Sequence, residues 1–251
     1  MKKLEYNNVL DLFCGCGGMS LGFEEAGYHA LLGIDIWKDA LETYKYNHKQ
    51  SKTLCADIAS LNPSDVASLL DGNDVDVIIG GPPCQGFSIA GKRIVEDDRN
   101  KLYKGFVRMV NYFQPKAFVM ENVPNILSIG GGAVKEAIIK DFEELGYHIE
   151  VQVLLASDYG VPQNRRRAIF VGTRNGMAYE FPTPGNLPMV TSKEALSDLP
   201  DYSLPEGSPY PLGAMSDYQR FIRKESLGVY NHDITIHTQR TKEIIAMVPD
   251  G

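Results

Sequence analysis

The sequence has no apolar run of about 18 residues, the length that a membrane-spanning helix requires. Its N-terminal segment also lacks a long apolar stretch followed by a small-residue cleavage site, so we expect no signal peptide. The chain has 4 cysteines among 251 residues, and their positions do not suggest a disulfide framework. These absences predict a cytoplasmic protein with reduced thiols and no membrane partner.

Basic residues are outnumbered, with 25 lysines and arginines against 32 acidic residues. The formal net charge of −7 argues against a chain that wraps uniformly around nucleic acid. Local positive charge occurs in two clusters: Arg165, Arg166 and Arg167 form one, and Lys92, Arg93, Arg99, Lys101, Lys104 and Arg108 form the other. Either cluster can contact phosphates, although charge alone favours a solvated face. The histidines and cysteines show no metal-ligand spacing, so we expect no metal.

Short apolar runs alternate with helical patterns over most of the chain. The predicted strands cover residues 9–13, 30–34, a short stretch ending at 55, 75–79, 117–120, 147–155 and 168–171. Helical patterns separate most of them, as over residues 37–46, 101–113 and 134–145. This alternation predicts an α/β fold with a mostly parallel sheet, helices on both faces and an antiparallel hairpin at one edge.

The composition changes at about residue 176, where proline and glycine become frequent. Only short helices are predicted beyond that point, over residues 192–196 and 217–224. We therefore expect one domain over residues 1–175, and over residues 176–251 an extension that covers the surface or begins a second domain.

The end of the first strand, in DLFCGCGGMSLGF, indicates a ligand site. Gly15, Gly17 and Gly18 permit a tight turn and a close approach of a ligand to the backbone. Their G-x-G-G spacing fits a dinucleotide site poorly. Acidic residues lie at or near three consecutive strand ends: Asp11, Asp35 and Asp57. Each alone is more simply a cap or turn residue, but the set favours a cationic nucleoside without phosphates, such as S-adenosylmethionine.

A second segment, GGPPCQGFS, places Cys84 just beyond the fourth strand, where open α/β sheets bind ligands. A thiolate there is a soft nucleophile, although an isolated cysteine is more often a small buried hydrophobe. In FVMENVPN, Glu121 ends the next strand and borders the same crevice. Its carboxyl group can donate a proton to a bound substrate, or simply cap a neighbouring helix.

Five segments in order, DLFCGCGGMSLGF, GGPPCQGFS, DDRNKL, MENVPN and ASDYGVPQNRRRAIFVG, resemble the successive motifs of the DNA cytosine C5-methyltransferase family. The resemblance covers residues 8–174. It implies a Rossmann-like fold that uses S-adenosylmethionine and releases S-adenosylhomocysteine. It also implies methyl transfer to carbon 5 of a flipped-out cytosine in double-stranded DNA, as in restriction-modification.

The resemblance also assigns roles to individual residues. Cys84 matches the family's nucleophile and Glu121 its acid at the pyrimidine N3, while Arg165 and Arg167 match arginines near the nucleophile and the base's O2. Matching positions for the substrate are Pro83, Gln85, Ser88, Asn122 and Val123. Matching positions for the cofactor are Asp11, Phe13, Gly15, Cys16, Gly17, Gly18, Asp35, Ile36, Asp57, Ile58 and Leu102.

The family normally continues into a target-recognition domain and two further motifs, which we do not find in these residues. We therefore expect either a piece of a longer enzyme or one subunit of a split enzyme whose partner carries the rest. The alternatives are a tRNA cytosine-5 methyltransferase and a non-catalytic, cofactor-binding regulatory subunit. An adenine methyltransferase and a nicotinamide dehydrogenase fit less well, because Pro82-Pro83-Cys84 and the glycine spacing differ from their motifs.

Overall fold

The computed structural model describes residues 8–83, 100–174, 176, 178–185 and 187–248, together with the backbone of two short strands, Ile89–Ala90 and Arg93–Ile94. The chain divides into two compact units. The first unit contains Met1–Leu155 and Arg165–Thr183, and the second contains Ala156–Asn164 and Pro184–Gly251. No helix among the described residues is long and apolar enough to cross a membrane.

The first unit is built on a seven-stranded sheet. Its strands are β1 (Asn8–Leu12), β2 (His29–Asp35), β3 (Lys52–Cys55), β4 (Val77–Gly80), β7 (Ala117–Asn122), β8 (Tyr147–Leu155) and β9 (Arg166–Arg174), while β5 and β6 are the short pair Ile89–Ala90 and Arg93–Ile94. The order is β3-β2-β1-β4-β7-β9-β8, with β9 antiparallel to both of its neighbours and every other pair parallel. The predicted α/β class and its antiparallel edge hairpin are therefore confirmed.

The helices of this unit connect the strands. They are α1 (Gly18–Glu25), α2 (Lys38–Asn47), α3 (Pro63–Leu69), α4 (Lys101–Phe113) and α5 (Ala133–Glu143). The sequence explains why α3 begins at Pro63. Asn62 caps the helix, because its Oδ1 accepts a hydrogen bond from Ser64 N, and proline is favoured in a first turn. The predicted limits of α4 match the observed ones at both ends, while those of α2 and α5 differ by one or two residues.

The central strands are apolar on both faces because helices cover both faces. Along β1, Leu10 and Leu12 belong to the main core with Phe106, Phe118 and Phe142. Val9 points to the other face, where Val77 and Ile79 pack with side chains of α1. Since successive side chains of a strand alternate between faces, this division explains why β4 is a continuous apolar run and why β1 is apolar from Val9 to Leu12 except at Asp11.

The described residues of the second unit form three α-helices, α6 (Ser192–Leu196), α7 (Asp217–Ile222) and α8 (Gln239–Ala246). Capping boxes start α6 and α7, at Thr191 and Ser216 respectively. Sequence analysis predicts α6 with its observed limits and extends α7 two residues too far. It does not predict α8, whose start is capped by Thr238.

Candidate active site

The carboxyl ends of the parallel strands meet at one edge of the sheet. Leu12 pairs with Ile34 and with Gly80, and Gly80 pairs with Met120. The segments that follow these residues therefore emerge side by side. They are the glycine turn, the turn after β2, the loop that leads to Cys84, and the end of β7, where Glu121 lies.

The glycine turn after β1 is held by an acidic side chain from β2. Asp35 Oδ2 accepts a hydrogen bond of 2.8 Å from Gly15 N, and Asp35 Oδ1 accepts one of 2.9 Å from Trp37 N. Gly17 has φ 94°, and a Cβ at this position would collide with the ring of His48. The backbone turn thus requires glycine, while Asp35 joins the ends of two neighbouring strands.

Asp11 lies beneath this turn. Its side chain is 1% exposed, and its Oδ2 accepts a hydrogen bond of 2.6 Å from Ser20 Oγ. The Ser20 hydroxyl is in turn 2.9 Å from the hydroxyl of Tyr44, which is fully buried. Burial raises the pKa of Asp11 to about 7. Asp11 therefore supports the first helical turn of α1 from inside the protein.

A cavity of about 630 Å³ opens beside the turn. This volume lies in the range of about 300–1,000 Å³ that is typical of ligand pockets. The predicted cofactor residues that line it are Phe13, Asp35, Ile36, Asp57, Ile58 and Leu102, and the structure adds Ala56, Ala59, Gly81, Pro83 and Lys101. The other predicted cofactor residues lie in β1 and in the turn or first residue of α1 that follows: Asp11, Gly15, Cys16, Gly17 and Gly18.

Two arginines converge on the carboxylate of Glu121. Arg167 Nε lies 2.7 Å and Arg165 Nη2 lies 3.2 Å from the same oxygen, Oε1. The second oxygen, Oε2, faces Gly81, at 3.4 Å from the point where a Cβ of that residue would lie. The Glu121 side chain is 24% exposed, so the group is shielded but open to a bound molecule.

The next residue, Asn122, fastens the loop that leads to Cys84. It is 4% exposed, its Nδ2 donates to Pro82 O at 2.9 Å, and its Oδ1 accepts from Val123 N at 2.9 Å. The nitrogen and the oxygen of this side-chain amide therefore both have hydrogen-bond partners within the protein. Three predicted site residues, Cys84, Gln85 and Ser88, lie outside the described residues.

Sequence reasoning missed several residues that build this site. Ala56, Ala59 and Lys101 are immediate neighbours of predicted residues, so adjacency to them was the available signal. Ser20 and Tyr44 gave no signal, because their contact with Asp11 depends on the packing of α1 and α2. Among the described residues, no group of three or more histidine, cysteine or acidic side chains is arranged to hold a metal ion.

Comparison with known proteins gives a consistent result. A family model described as C-5 cytosine-specific DNA methylase matches residues 7–247. The chain is 42% identical over 258 residues to the Type II methyltransferase M.DdeI of Desulfomicrobium norvegicum, covering 97% of this chain and 61% of the relative. It is also 42% identical over 245 residues to the Type II methyltransferase M1.HphI of Haemophilus parahaemolyticus, covering 96% and 61%. The chain thus spans about three fifths of the length of these relatives.

Comparison with solved structures identifies proteins of the same fold. A structure described as a DNA modification methyltransferase encoded within a prophage (E. coli) is 34% identical, with a TM-score of 0.67, covering 81% of this chain and 57% of that one. A mutant of DNMT2 from Spodoptera frugiperda is 24% identical, with a TM-score of 0.61, covering 80% and 63%. The second likeness concerns the fold alone.

Proposed function

The chain belongs to the C-5 cytosine-specific DNA methylase family, and from that premise we propose that it forms the catalytic part of an enzyme that methylates carbon 5 of cytosine in double-stranded DNA. The enzyme acts in the cytoplasm, and its methylation protects DNA as the modification activity of a restriction-modification system. One observation carries the proposal. Glu121, held by Arg165 and Arg167, faces Gly81 in the wall of a cavity that also includes Pro83, the residue before Cys84.

The residues that line the cavity suit S-adenosylmethionine. Phe13, Ile58 and Leu102 offer apolar surface to a purine, and Asp35 and Asp57 offer negative charge to hydroxyls, an amine and a cation. Among the described residues that line the cavity, Lys101 is the single basic one, so these residues form no cluster for phosphates. S-adenosylmethionine bound here supplies an electrophilic methyl group.

The chain's own residues supply the nucleophile and the acid. Carbon 5 of cytosine is too weak a nucleophile to take the methyl group unaided. The Cys84 thiolate therefore adds to carbon 6, which moves electron density towards carbon 5 and N3. Glu121 holds or supplies a proton at N3, and Arg167 stabilises the carbonyl oxygen of the base. After carbon 5 takes the methyl group, loss of its proton expels the Cys84 sulfur and restores the base.

The base must leave the helix for these groups to reach it. Carbon 5 and carbon 6 are inaccessible inside a duplex, and extruding a nucleotide costs a few kcal/mol. Arg165 contacts Glu121 while 48% of its side chain stays exposed, so its guanidinium group is accessible to an extruded base.

Recognition of the DNA sequence comes from a portion outside these 251 residues, carried by a longer chain or by a partner subunit. The relatives are longer than the aligned chain, which leaves room for that portion. Apolar side chains of the second unit are exposed, among them Leu227 at 84%, Ile236 at 94% and Met247 at 74%. We propose that the portion that recognises the DNA sequence covers these side chains.

The test is a product assay on the complete enzyme, either the full-length chain or this chain with the product of an adjacent reading frame. Duplex DNA and, in a parallel reaction, tRNA are incubated with isotope-labelled S-adenosylmethionine, digested to nucleosides and analysed by mass spectrometry. Labelled 5-methyl-2′-deoxycytidine is the expected product. Label at the N4 position of cytosine would contradict the chemistry, and label in tRNA but not in DNA would favour the RNA alternative.

A further inference from the structure

One arginine outside the catalytic group joins two walls of the cofactor cavity. We propose that Arg108, on α4, is a positioning residue that fixes the loop after β3 and thereby sets the shape of the pocket for the purine. The inference rests on the proposed function, because it takes S-adenosylmethionine to be the molecule that fills the cavity. Arg108 itself does not line the cavity.

The guanidinium of Arg108 is aimed at main-chain oxygens. Its Nη2 lies 2.7 Å from Ile58 O, 3.1 Å from Ala59 O and 3.1 Å from Leu61 O. Hydrogen bonds from a charged donor are stronger than those between neutral groups, and these are partly buried. Three carbonyl groups of one short loop converge on this cation, and each would need another partner if the cation were removed.

The loop is also in contact with the backbone of α4. Gly105 lies one helical turn before Arg108, and a Cβ added there would lie 2.7 Å from Ile58 O. Leu102, one turn earlier again, lines the cavity, as do Ile58 and Ala59. The close approach at Gly105 and the hydrogen bonds of Arg108 therefore hold the two walls at a fixed spacing.

The loop forms a small turn of its own, with Ile58 buried in the main core and Ala56 N donating to Asp35 O at 3.0 Å. Asp57 O accepts hydrogen bonds from Ser60 N and Leu61 N, at 3.1 and 3.0 Å, and Asp57 Oδ1 accepts one of 2.9 Å from Ala59 N. These bonds shape the turn without joining it to α4. Arg108 fastens the turn to α4 and so fixes the position of Asp57, which we take to be the acceptor for the exocyclic amine of adenine.

The experiment measures ligand affinity on the full chain by calorimetry, with ligand concentrations up to the millimolar range. The ligands are S-adenosylhomocysteine and S-inosylhomocysteine, which lacks the exocyclic amine. The variants are R108M, R108K and a control, K45M, which removes a positive charge from an exposed position on α2. Hydrogen exchange of residues 56–61, measured without ligand, reports the mobility of the loop.

We expect R108M to weaken S-adenosylhomocysteine binding by about tenfold, since a partly buried hydrogen-bonding group is lost. It should also reduce the preference over S-inosylhomocysteine and accelerate exchange in residues 56–61. R108K keeps a cation but loses the planar geometry, so its affinity should be intermediate, and K45M should match the wild type.

Two outcomes overturn the inference in distinguishable ways. If the wild type binds S-adenosylhomocysteine and R108M binds it equally well, or loses affinity for both ligands to the same extent, Arg108 has no positioning role and the proposed function stands. If the wild type binds neither ligand at millimolar concentration, the cofactor assignment fails and this inference fails with it. Should R108M not fold, the affinities and exchange rates of R108K decide by the same criteria.

Discussion

Arg167 Nε lies 2.7 Å from Glu121 Oε1, and this contact joins the ends of β9 and β7, which are antiparallel neighbours in the sheet. Arg167 and Glu121 are nearly equally shielded, with side-chain exposures of 25% and 24%, whereas Arg165 is twice as exposed. Because electrostatic interactions strengthen as water is excluded, Arg167 should contribute more to orienting Glu121 than Arg165 does.

Replacing Arg167 with alanine should lower the rate of methyl transfer by about 10²–10³-fold, the effect of removing one preorganised donor from a site of developing charge. Arg165→Ala should have a smaller effect. Single-turnover transfer to duplex DNA by the complete enzyme measures both. Arg166→Ala is the matched control, because that side chain is exposed and lies between the other two, and its rate should equal that of the wild type. A larger loss with Arg165→Ala than with Arg167→Ala would reverse this assignment.

Asn122→Ala should destabilise the first unit and slow catalysis, because the carbonyl of Pro82 loses its buried donor and the loop towards Cys84 loses an anchor. Leaving a buried polar group unsatisfied costs about 1–3 kcal/mol. Urea unfolding of the chain and transfer rates of the complete enzyme measure the two effects. Asn111→Ala, at an exposed position of α4, should change neither. If Asn122→Ala left both quantities unchanged, the anchoring role would be wrong.

The stability of the protein should depend on the protonation of Asp11. Burial raises the pKa of this group from 3.8 to about 7. Between these pH values the folded chain retains a proton that the unfolded chain releases, so the free energy of unfolding decreases as the pH rises. Asp11→Asn removes this term. From pH 4 to pH 8 the variant should therefore gain on the order of a few kcal/mol relative to the wild type in urea unfolding.

Ser20→Ala provides a second check on Asp11. The hydrogen bond from Ser20 lowers the pKa of Asp11 against the effect of burial. Its removal should therefore move the upper end of the pH-dependent window above pH 7. Identical pH profiles for the wild type, Ser20→Ala and Asp11→Asn would show that Asp11 does not titrate in this range.

The second unit contains an ion pair whose loss should be costly. Arg223 pairs with Asp198, with side-chain exposures of 13% and 3%, and its guanidinium carbon lies 3.6 Å from the centre of the Tyr210 ring. Asp198→Ala leaves a shielded cation unpaired and should destabilise the unit by about 3–5 kcal/mol. Limited proteolysis of residues 184–248 measures this. Breaking the exposed Arg220–Asp217 pair with Asp217→Ala should have little effect, and equal sensitivity of both variants would contradict the argument.

The sequence predicted the sheet well because its central strands are short apolar runs that end in glycine, aspartate or proline. It also predicted that Glu121 lies at the edge occupied by the glycine turn, because parallel strands end at the same edge. The pairing of Glu121 with Arg165 and Arg167 could not be derived from spacing. It depends on the antiparallel register that sets Asn122 opposite Ala168, which no local pattern specifies.

Other features depended on tertiary contacts. The sequence predicts Asp11 as a cofactor residue but does not indicate its buried contact with Ser20, which the structure shows. Arg108 was grouped with a basic cluster, whereas its guanidinium contacts the carbonyls of the loop after β3. Helix α8 was missed because its apolar residues are few and exposed, so burial does not impose a helical periodicity on them.

The central claim is that the sulfur of Cys84 forms a covalent bond with carbon 6 of cytosine, and trapping that bond tests it most directly. Duplex DNA with 5-fluorocytosine at the target position cannot lose a proton from carbon 5 after methyl transfer, so the enzyme should remain attached. With the complete enzyme and S-adenosylmethionine, we predict a complex that survives denaturation, with the DNA fragment on the peptide that contains Cys84. Cys84→Ser should bind S-adenosylhomocysteine but form no such complex. A trapped complex with the serine variant, or methyl transfer by it at a near-normal rate, would contradict the account.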